Sequence, residues 1–410
     1  MSDLLNVDEA LERILATIQP LAAEQVALRA ALGRVLAEDV HAPLSLPPFP
    51  NSSMDGYAVK AGDTADATTR QPALIRVAMD IRAGDAPTQT LEAGQAARIM
   101  TGAPLPAGAD AVVPVEDTDG TWDIDGPLPE SVRIFARVVP GTNVRPVGED
   151  IQQGQFVLGA GARLRPQDMG VLAALGQAQV RVARRPRVAL LTSGDELVSV
   201  EEDLAPGKIR DANSYTLAGL VEENGGEALV LPIARDTLAE VRNLFLSALA
   251  LQPDMIVSSA GVSVGAADLV RTVLAELGEI GFWRINLRPG KPLAFGRLQG
   301  VPFFGLPGNP VSAMITFDVL VRPALLRQQG TEKEWPMVLA ATEEPMMSDG
   351  RRSYVRVKLR SVDGAWLASS TGTQSSGALM SMVVADGLMI IPEEMTRVPA
   401  GTVLPVRLLR

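Results

Sequence analysis

At 410 residues, with 47% hydrophobic and 21% charged residues, the chain has the make-up of a globular protein of several domains. With 37 Lys and Arg against 48 Asp and Glu, the formal charge is −11, which excludes a general nucleic-acid binder. The absence of cysteine and the single histidine, His41, exclude thiolate nucleophiles, disulfides, Cys/His zinc sites and histidine general bases together, so catalysis must rest on carboxylates, Lys and Arg, hydroxyls, backbone amides or a bound metal.

Residues Val7 to Gln19 carry Ala10, Leu11, Ile14, Leu15 and Ile18 on one face and predict an amphipathic helix. Glu24 to Leu36 is less periodic and reads as partly helical. Prolines 43, 47, 48 and 50 then stiffen the chain and forbid a helix, which marks a boundary. From about Asn51 to Pro140, short runs such as ALIRVAMDIRAG, QAARIMTG, DAVVPVED and VRIFARVV, separated by turn residues, predict a β-rich region. The stretch that follows reads as a connector leading into a short helix, free to pair with the N-terminal region as one discontinuous domain. From Arg187 strands and helices alternate to near Gln329. The strands VALL, EALVLPIA, Met255 to Val257 and Val301 to Phe304 are each followed by a turn or loop and then a helical pattern. This is the mark of a doubly wound, mostly parallel sheet. From about Trp335 short strands return and predict a small β-barrel or sandwich. No apolar run reaches membrane-spanning length and the acidic start MSDLLNVDEALERIL is unlike a secretory leader, so the expected location is the cytoplasm.

In an open α/β sheet ligands sit beyond the carboxyl ends of the strands, and the polar residues of this region gather there. Thr192-Ser193-Gly194-Asp195-Glu196 follows the first strand and Arg235-Asp236 the second. Ser258 to Gly265, with Asp268, follows the third, and Pro307-Gly308-Asn309-Pro310 the last. Small residues let a loop curl until its backbone N–H groups converge on an anion, and the next helix adds its positive end. The expected ligand therefore carries phosphate. Singly, each loop is also a turn, and Asp268, Asp195 and Glu196 also suit the first turn of a helix; their joint placement points to a site. At ~5 Å and an effective dielectric of about 20, like charges repel by roughly 3 kcal/mol. Glu196, Asp236 and Asp268 beside a phosphate thus imply a divalent cation, Mg2+ by its preference for oxygen ligands, able to polarise a phosphoryl group. Residues Trp283 to Pro292 add Arg284, Arg288 and Lys291 and read as an oxyanion site, each charge-assisted hydrogen bond contributing roughly 1.5–3 kcal/mol. Asp55-Gly56, Thr101-Gly102 and Gly148-Glu149-Asp150 read first as turns, His41 as a surface or boundary histidine, and Met380 and Met382 as core filler.

Taken in order, PPFPNSSMDGYAV, RIMTGAPLPAGADAVVPVEDT, NVRPVGEDI, LLTSGDEL, SSAGVSVGAADLV, RPGKPLAFG and GLPGNPVSA resemble the molybdopterin molybdenumtransferase family (MoeA and the E domain of gephyrin) over nearly the whole chain. The resemblance implies an α/β multidomain protein. Its parts would be a discontinuous connecting domain (1–48 and 141–183), a β-rich domain (49–140), a doubly wound molybdopterin-binding α/β domain (184–330) and a small C-terminal β-barrel (331–410). It implies an elongated homodimer whose cleft combines both subunits. It also implies a reaction in which adenylylated molybdopterin and molybdate give molybdenum cofactor and AMP with Mg2+. Neither thiol nor histidine is needed, because the dithiolene sulfurs belong to the ligand. By position, the implied catalytic residues are Asp55, Glu196, Asp236 and Asp268, the last three also the implied metal ligands, and Thr101, Arg145 and Asp150 are implied cofactor-binding residues. Ser193, Gly194, Ser258, Ser259, Gly261, Ser263 and Gly265, with Pro307 and Pro310, match the ligand loops. Arg284, Arg288, Lys291 and Pro292 match the anion-binding segment, and Arg356, Ser375 and Ser376 match positions facing molybdate from the last domain. A molybdopterin-adenylylating enzyme and molybdoenzyme acceptors are the implied partners. Arg284 and Arg288 stand where some members have Lys, Pro146 and Val147 where some are basic, and Ala260 where many have Gly. Two other readings stay open: adenylyl transfer from ATP onto molybdopterin, which predicts ATP consumption by this chain alone, and a non-catalytic scaffold of the gephyrin type.

Overall fold

The computed structural model describes residues 4–120, 126–259, 266–332 and 335–409. They divide into two compact units, one holding Met1–Glu38, Ala160–Arg165 and Gln179–Arg410, the other Asp39–Gly159 and Pro166–Ala178.

The first unit is built on a six-stranded sheet in the order Glu227–Val230, Arg187–Thr192, Met255–Ser259, Val301–Leu306, Pro292–Leu298, Gly278–Arg284. The first four strands run parallel; the last two are antiparallel. Side chains alternate across it. Val188, Leu190, Met255, Val257 and Phe304 share a core with Leu217 and Val221 of helix Asn213–Glu223 and with Val311 and Ile315 of helix Pro310–Thr316. Ala189, Leu191, Ile256 and Phe303 pack on the other face against helices Leu238–Ala250 and Ala266–Leu277. Strands covered on both faces are apolar through their middles, so their polar residues fall at the ends: Arg187 and Glu227 at the amino ends, Thr192, Ser258 and Ser259 at the carboxyl ends.

The doubly wound expectation holds, with one addition. On either side of the cationic stretch the chain makes two further strands, and Pro292–Leu298 turns directly into Val301–Leu306. That turn is Gln299-Gly300, with φ of 48° and 87°, the left-handed pair that a two-residue hairpin needs.

Helix Val7–Leu15 begins at Asn6, whose side chain accepts the Asp8 N–H at 2.8 Å. It buries Val7, Ala10 and Ile14, with Ile18 beyond its end, in the same core as Ile285 and Phe317. Glu24 to Leu36 departs from the expected partial helix: Ala23–Ala27 is a strand antiparallel to Gln179–Ala183, followed by a single 3-10 turn, Leu28–Ala30. Alanine favours a helix locally, but pairing with a strand that buries Val180 and Val182 decides the outcome.

Residues 310–328 form one helical run, interrupted by a π segment, Phe317–Val321. After it, strands Met337–Thr342, Arg352–Val362, Ala365–Ser370, Gly387–Ile391 and Val403–Leu408 close into a barrel, because Gly387–Ile391 pairs back with Arg352–Val362. Ala340, Val357, Ala368, Met389 and Val406 fill it. Met382 is buried as core filler, but Met380 is 65% exposed and fills nothing.

The second unit contains a five-stranded sheet in the order Ala111–Pro114, Gly56–Val59, Gln95–Ile99, Ala73–Ile81, Ser131–Ile134. Tyr57, Val59, Ile75, Val77 and Val113 form its core. Two short antiparallel pairings, Asn51–Ser52 with Val144–Arg145 and Val40–His41 with Phe156–Leu158, bring the later part of the unit back to its start. Among the described residues no helix is long and apolar enough to cross a membrane.

Candidate functional site

Two strand ends of the six-stranded sheet and one helix start are joined by hydroxyls. Thr192 Oγ lies 2.9 Å from Ser214 Oγ and 3.2 Å from Ser259 Oγ, and Ser214 Oγ donates to Asp211 Oδ2 at 2.5 Å. Asp211, Ser214, Thr192, Ser258 and Ser259 are all buried. This chain of bonds fixes the ends of Arg187–Thr192 and Met255–Ser259 against the start of helix Asn213–Glu223. From the same helix start, Asn213 Nδ2 donates to the Gly308 carbonyl at 2.8 Å and pins the Pro307–Pro310 loop. Glu196, Asp211, Asn213, Ser259, Pro307 and Pro310 thereby line one cavity of about 340 Å3, together with Pro292, Gly308 and Asn309. Ser193 is buried and forms a β-bridge with Ala234.

Gly194 leaves room for what lies over it. A Cβ there would meet the Glu196 carboxylate at 2.8 Å, so Glu196 folds back onto this backbone. The same turn carries Asp195, whose Oδ1 accepts the Asp236 N–H at 3.3 Å. Asp236 Oδ1 is shielded from solvent and receives no hydrogen bond among the described residues. Asp268 belongs to helix Ala266–Leu277, but its side chain lies outside what is described, as do Gly261, Ser263 and Gly265 altogether. Among the described residues, no three Asp, Glu or His side chains converge as a metal site.

A second cavity, about 580 Å3, lies between the Arg288–Pro292 segment and the barrel. Arg288, Arg351 and Arg356 line it, with Ser353, Ser370, Gln374 and Ser376. Arg356 is 1% exposed. Its Nε donates to Ser381 Oγ at 3.1 Å and its Nη2 to the Ser375 carbonyl at 3.0 Å, and among the described residues no carboxylate pairs with it. Burial, and then the neighbouring Arg288 charge, hold its pKa below the usual arginine value. An arginine in that state is short of negative charge. Pro292 and Asn309 line this cavity as well as the first.

Gly290, with φ of 117°, belongs here by necessity, since a Cβ would meet Thr316 Oγ at 2.4 Å. Lys291 and Arg284 are exposed and line neither cavity. Ser375 is exposed and contributes its carbonyl to Arg356, whereas Ser376 faces the cavity.

The remaining expected residues lie in the second unit. Asp55 Oδ1 accepts the Thr101 N–H at 2.7 Å, so these two meet across a turn, and Asp55 Oδ2 has no hydrogen bond among the described residues. Arg145 pairs in strand register with Asn51. Asp150 is exposed and its N–H bonds the Leu46 carbonyl.

Asp211, Asn213, Ser214, Arg351 and Gln374 were absent from the sequence reading. A signal existed for the first three, because Asp211-Ala212-Asn213-Ser214 is a helix start that immediately follows a strand. For Arg351 and Gln374 no local pattern distinguishes them from solvated polar residues.

Residues 5–176 match the family model of the MoeA N-terminal region (domain I and II), 189–327 that of a probable molybdopterin binding domain, and 340–409 that of the MoeA C-terminal region (domain IV). The chain is 41% identical over 389 residues to molybdopterin molybdenumtransferase 2 of Mycobacterium tuberculosis, a match covering 93% of this chain and 94% of the relative. It is 36% identical over 409 residues to the molybdopterin molybdenumtransferase of Haemophilus influenzae, covering 98% of each. A crystal structure of the molybdopterin biosynthesis MoeA protein of Pyrococcus horikoshii aligns with a TM-score of 0.84 and 35% identity over 100% of both chains. With likeness of this extent running through the loops of both cavities, the chain belongs to the MoeA family of molybdopterin molybdenumtransferases.

Proposed function

We propose that this chain inserts molybdate into adenylylated molybdopterin, cleaving the pyrophosphate and releasing AMP and molybdenum cofactor. The observation that carries this reading is Arg356, a buried guanidinium paired with no carboxylate among the described residues, set in a cavity where Arg288 and Arg351 outnumber the one lining acid, Glu344. A tetrahedral dianion supplies the charge such a group lacks, through charge-assisted hydrogen bonds. The adjoining cavity, at the strand ends with Ser259 and the Pro307–Pro310 turn, suits the phosphate-bearing ligand. The wall that the two cavities share at Pro292 and Asn309 supports a reading in which oxyanion and phosphate lie side by side.

A Mg2+ ion suits the acidic residues of this edge. Asp236 Oδ1 is an oxygen donor already withdrawn from water and without a hydrogen bond, and Mg2+ is held by one or two carboxylates together with substrate phosphates. Glu196, Asp236 and Asp268 would hold it, and bound there it would offset the charge of the pyrophosphate and polarise the bond to be cleaved. Thr192, Ser214 and Ser259 keep the strand ends rigid, Asn213 fixes the loop at Gly308, and Arg356 and Arg288 orient the oxyanion.

The four-part division of the chain, a cytoplasmic location and a homodimer belong to the same reading. In that dimer the partner subunit supplies its own Asp55, Thr101, Arg145 and Asp150 side of the cleft.

The test is an assay of AMP released against molybdenum inserted, with purified adenylylated molybdopterin, molybdate and Mg2+. Arg356→Gln should raise the KM for molybdate by at least about tenfold and leave the KM for the pterin nucleotide unchanged. Unaltered molybdate dependence in that variant would overturn the assignment. Consumption of ATP by this chain alone would favour adenylyl transfer instead.

A further inference from the structure

The three arginines of the larger cavity are not held alike. Arg356 is fixed through Nε and Nη2 to Ser381 and Ser375. Arg351 is fixed as well: Nε and Nη2 donate to the Asp349 carboxylate at 3.1 and 2.5 Å, and Nη1 donates to the Leu287 carbonyl at 3.0 Å. Arg288 is different. It makes no hydrogen bond through its guanidinium among the described residues. Among the described residues its one ion-pair partner is Asp349, whose Oδ2 lies 3.9 Å from Arg288 Nη1, at the edge of ion-pair distance. Asp349 does not itself line the cavity. It sits on the bend Ser348-Asp349-Gly350-Arg351, with Gly350 at φ 81° and the Ser348 hydroxyl donating to the Arg351 carbonyl at 3.2 Å, at the entry to strand Arg352–Val362. The short strand Leu287–Arg288 runs parallel to Arg352–Ser353, which keeps Arg288 beside that turn.

We propose that Asp349 is a parking site for Arg288, a weak internal counter-ion that holds the guanidinium at the rim of the cavity until a tetrahedral dianion draws it away. This rests on the transferase reading and deepens it: Asp349 is a residue that sets the threshold for oxyanion binding, and Arg288 is the moving cation. Physically, Asp349 satisfies Arg351 fully and Arg288 poorly, so Arg288 is the one an incoming dianion can recruit at small cost. Arg351 stays clamped because three of its donors are already engaged. The Asp349 carboxyl is kept below the usual range chiefly by its hydrogen bonds to Arg351, so it is charged and competes for Arg288 throughout the neutral range.

The distinguishing experiment measures the KM for molybdate in molybdate-dependent AMP release by the full chain. The variants are Asp349→Asn, Arg288→Gln and the pair together. Removing the competing charge should lower the KM for molybdate about fivefold in Asp349→Asn and leave the KM for the pterin nucleotide unchanged. In the Arg288→Gln background the same change should do nothing, since the parked group is gone. A residue that merely orients Arg351 would behave oppositely, raising the KM for molybdate in both backgrounds. An unchanged or raised KM in Asp349→Asn, or a persistent effect without Arg288, would overturn the parking role while leaving the transferase reading intact. If the unmodified chain releases no AMP in response to molybdate, the transferase reading itself fails.

Discussion

At the scale of single residues, the site depends on small groups placed under larger ones. Gly194 is the clearest case, because the Glu196 carboxylate occupies the space where a side chain would stand. Gly194→Ala should fold normally, since only the end of a flexible side chain must move. It should nevertheless lower molybdate-dependent AMP release by about ten- to hundredfold through displacement of Glu196. Activity and thermal midpoint measured on the same preparation check this; an equal loss of stability would mean the glycine serves the fold alone. Glu196 was legible in the sequence because it sits in a strand-end loop beside other acids. The reason for its neighbour being glycine was not legible, because the clash is with a side chain that folds back in space. Arg356 likewise looks like any arginine in an alternating strand until its burial is known, and only likeness to a family singled it out.

At the scale of elements, the parallel strands and the helices that cover them could be read directly, since burial on both faces leaves long apolar runs. What escaped was pairing that local composition does not announce: the Ala23–Ala27 strand, and the Gln299-Gly300 hairpin, whose first turn residue is not one of the common left-handed types. The N-terminal helix shows how an exposed contact can complete an element's docking. Asp8, on the first turn of Val7–Leu15, takes two hydrogen bonds from Arg352 at 2.5 and 2.7 Å. Those bonds, ahead of any other cause, hold the Asp8 carboxyl below its usual range. A carboxylate whose folded value is depressed contributes stability above its unfolded value and loses it as the pH falls through the folded one. Asp8→Asn should therefore cost under about 1 kcal/mol at neutral pH, the contact being largely exposed. The difference from the unmodified chain should close below about pH 4. Urea titrations at several pH values measure it, and a gap independent of pH would refute the ion-pair explanation.

At the scale of the molecule, the helical run 310–328 links the Pro307–Pro310 loop at its start to the barrel through its middle. Asp318, in the π segment, lies 3.1 Å from Arg407 of the last barrel strand, and both side chains are 5% exposed. Arg407 and Arg322 both stack on Trp335, at 3.7 and 4.0 Å from the ring centre, and Arg322 Nε donates to Asn224 at 3.0 Å. Burial pushes the Asp318 carboxyl up against the pull of the two guanidinia, and burial with the Arg407 charge lowers Arg322 to about 10. Asp318→Asn should destabilise the chain by about 3–5 kcal/mol, because it takes the carboxylate partner from the buried Arg407 guanidinium. Replacing Arg407 by Met in the same variant should recover part of the loss. Urea midpoints test both, with Trp335 contributing to the fluorescence signal.

Pro292 and Asn309 have a consequence of their own. Because each faces two chambers, whatever settles first in one of them becomes upholstery for the other. A guest in one chamber would then meet a surface partly made by a guest in the other, so each should change how tightly its neighbour is held.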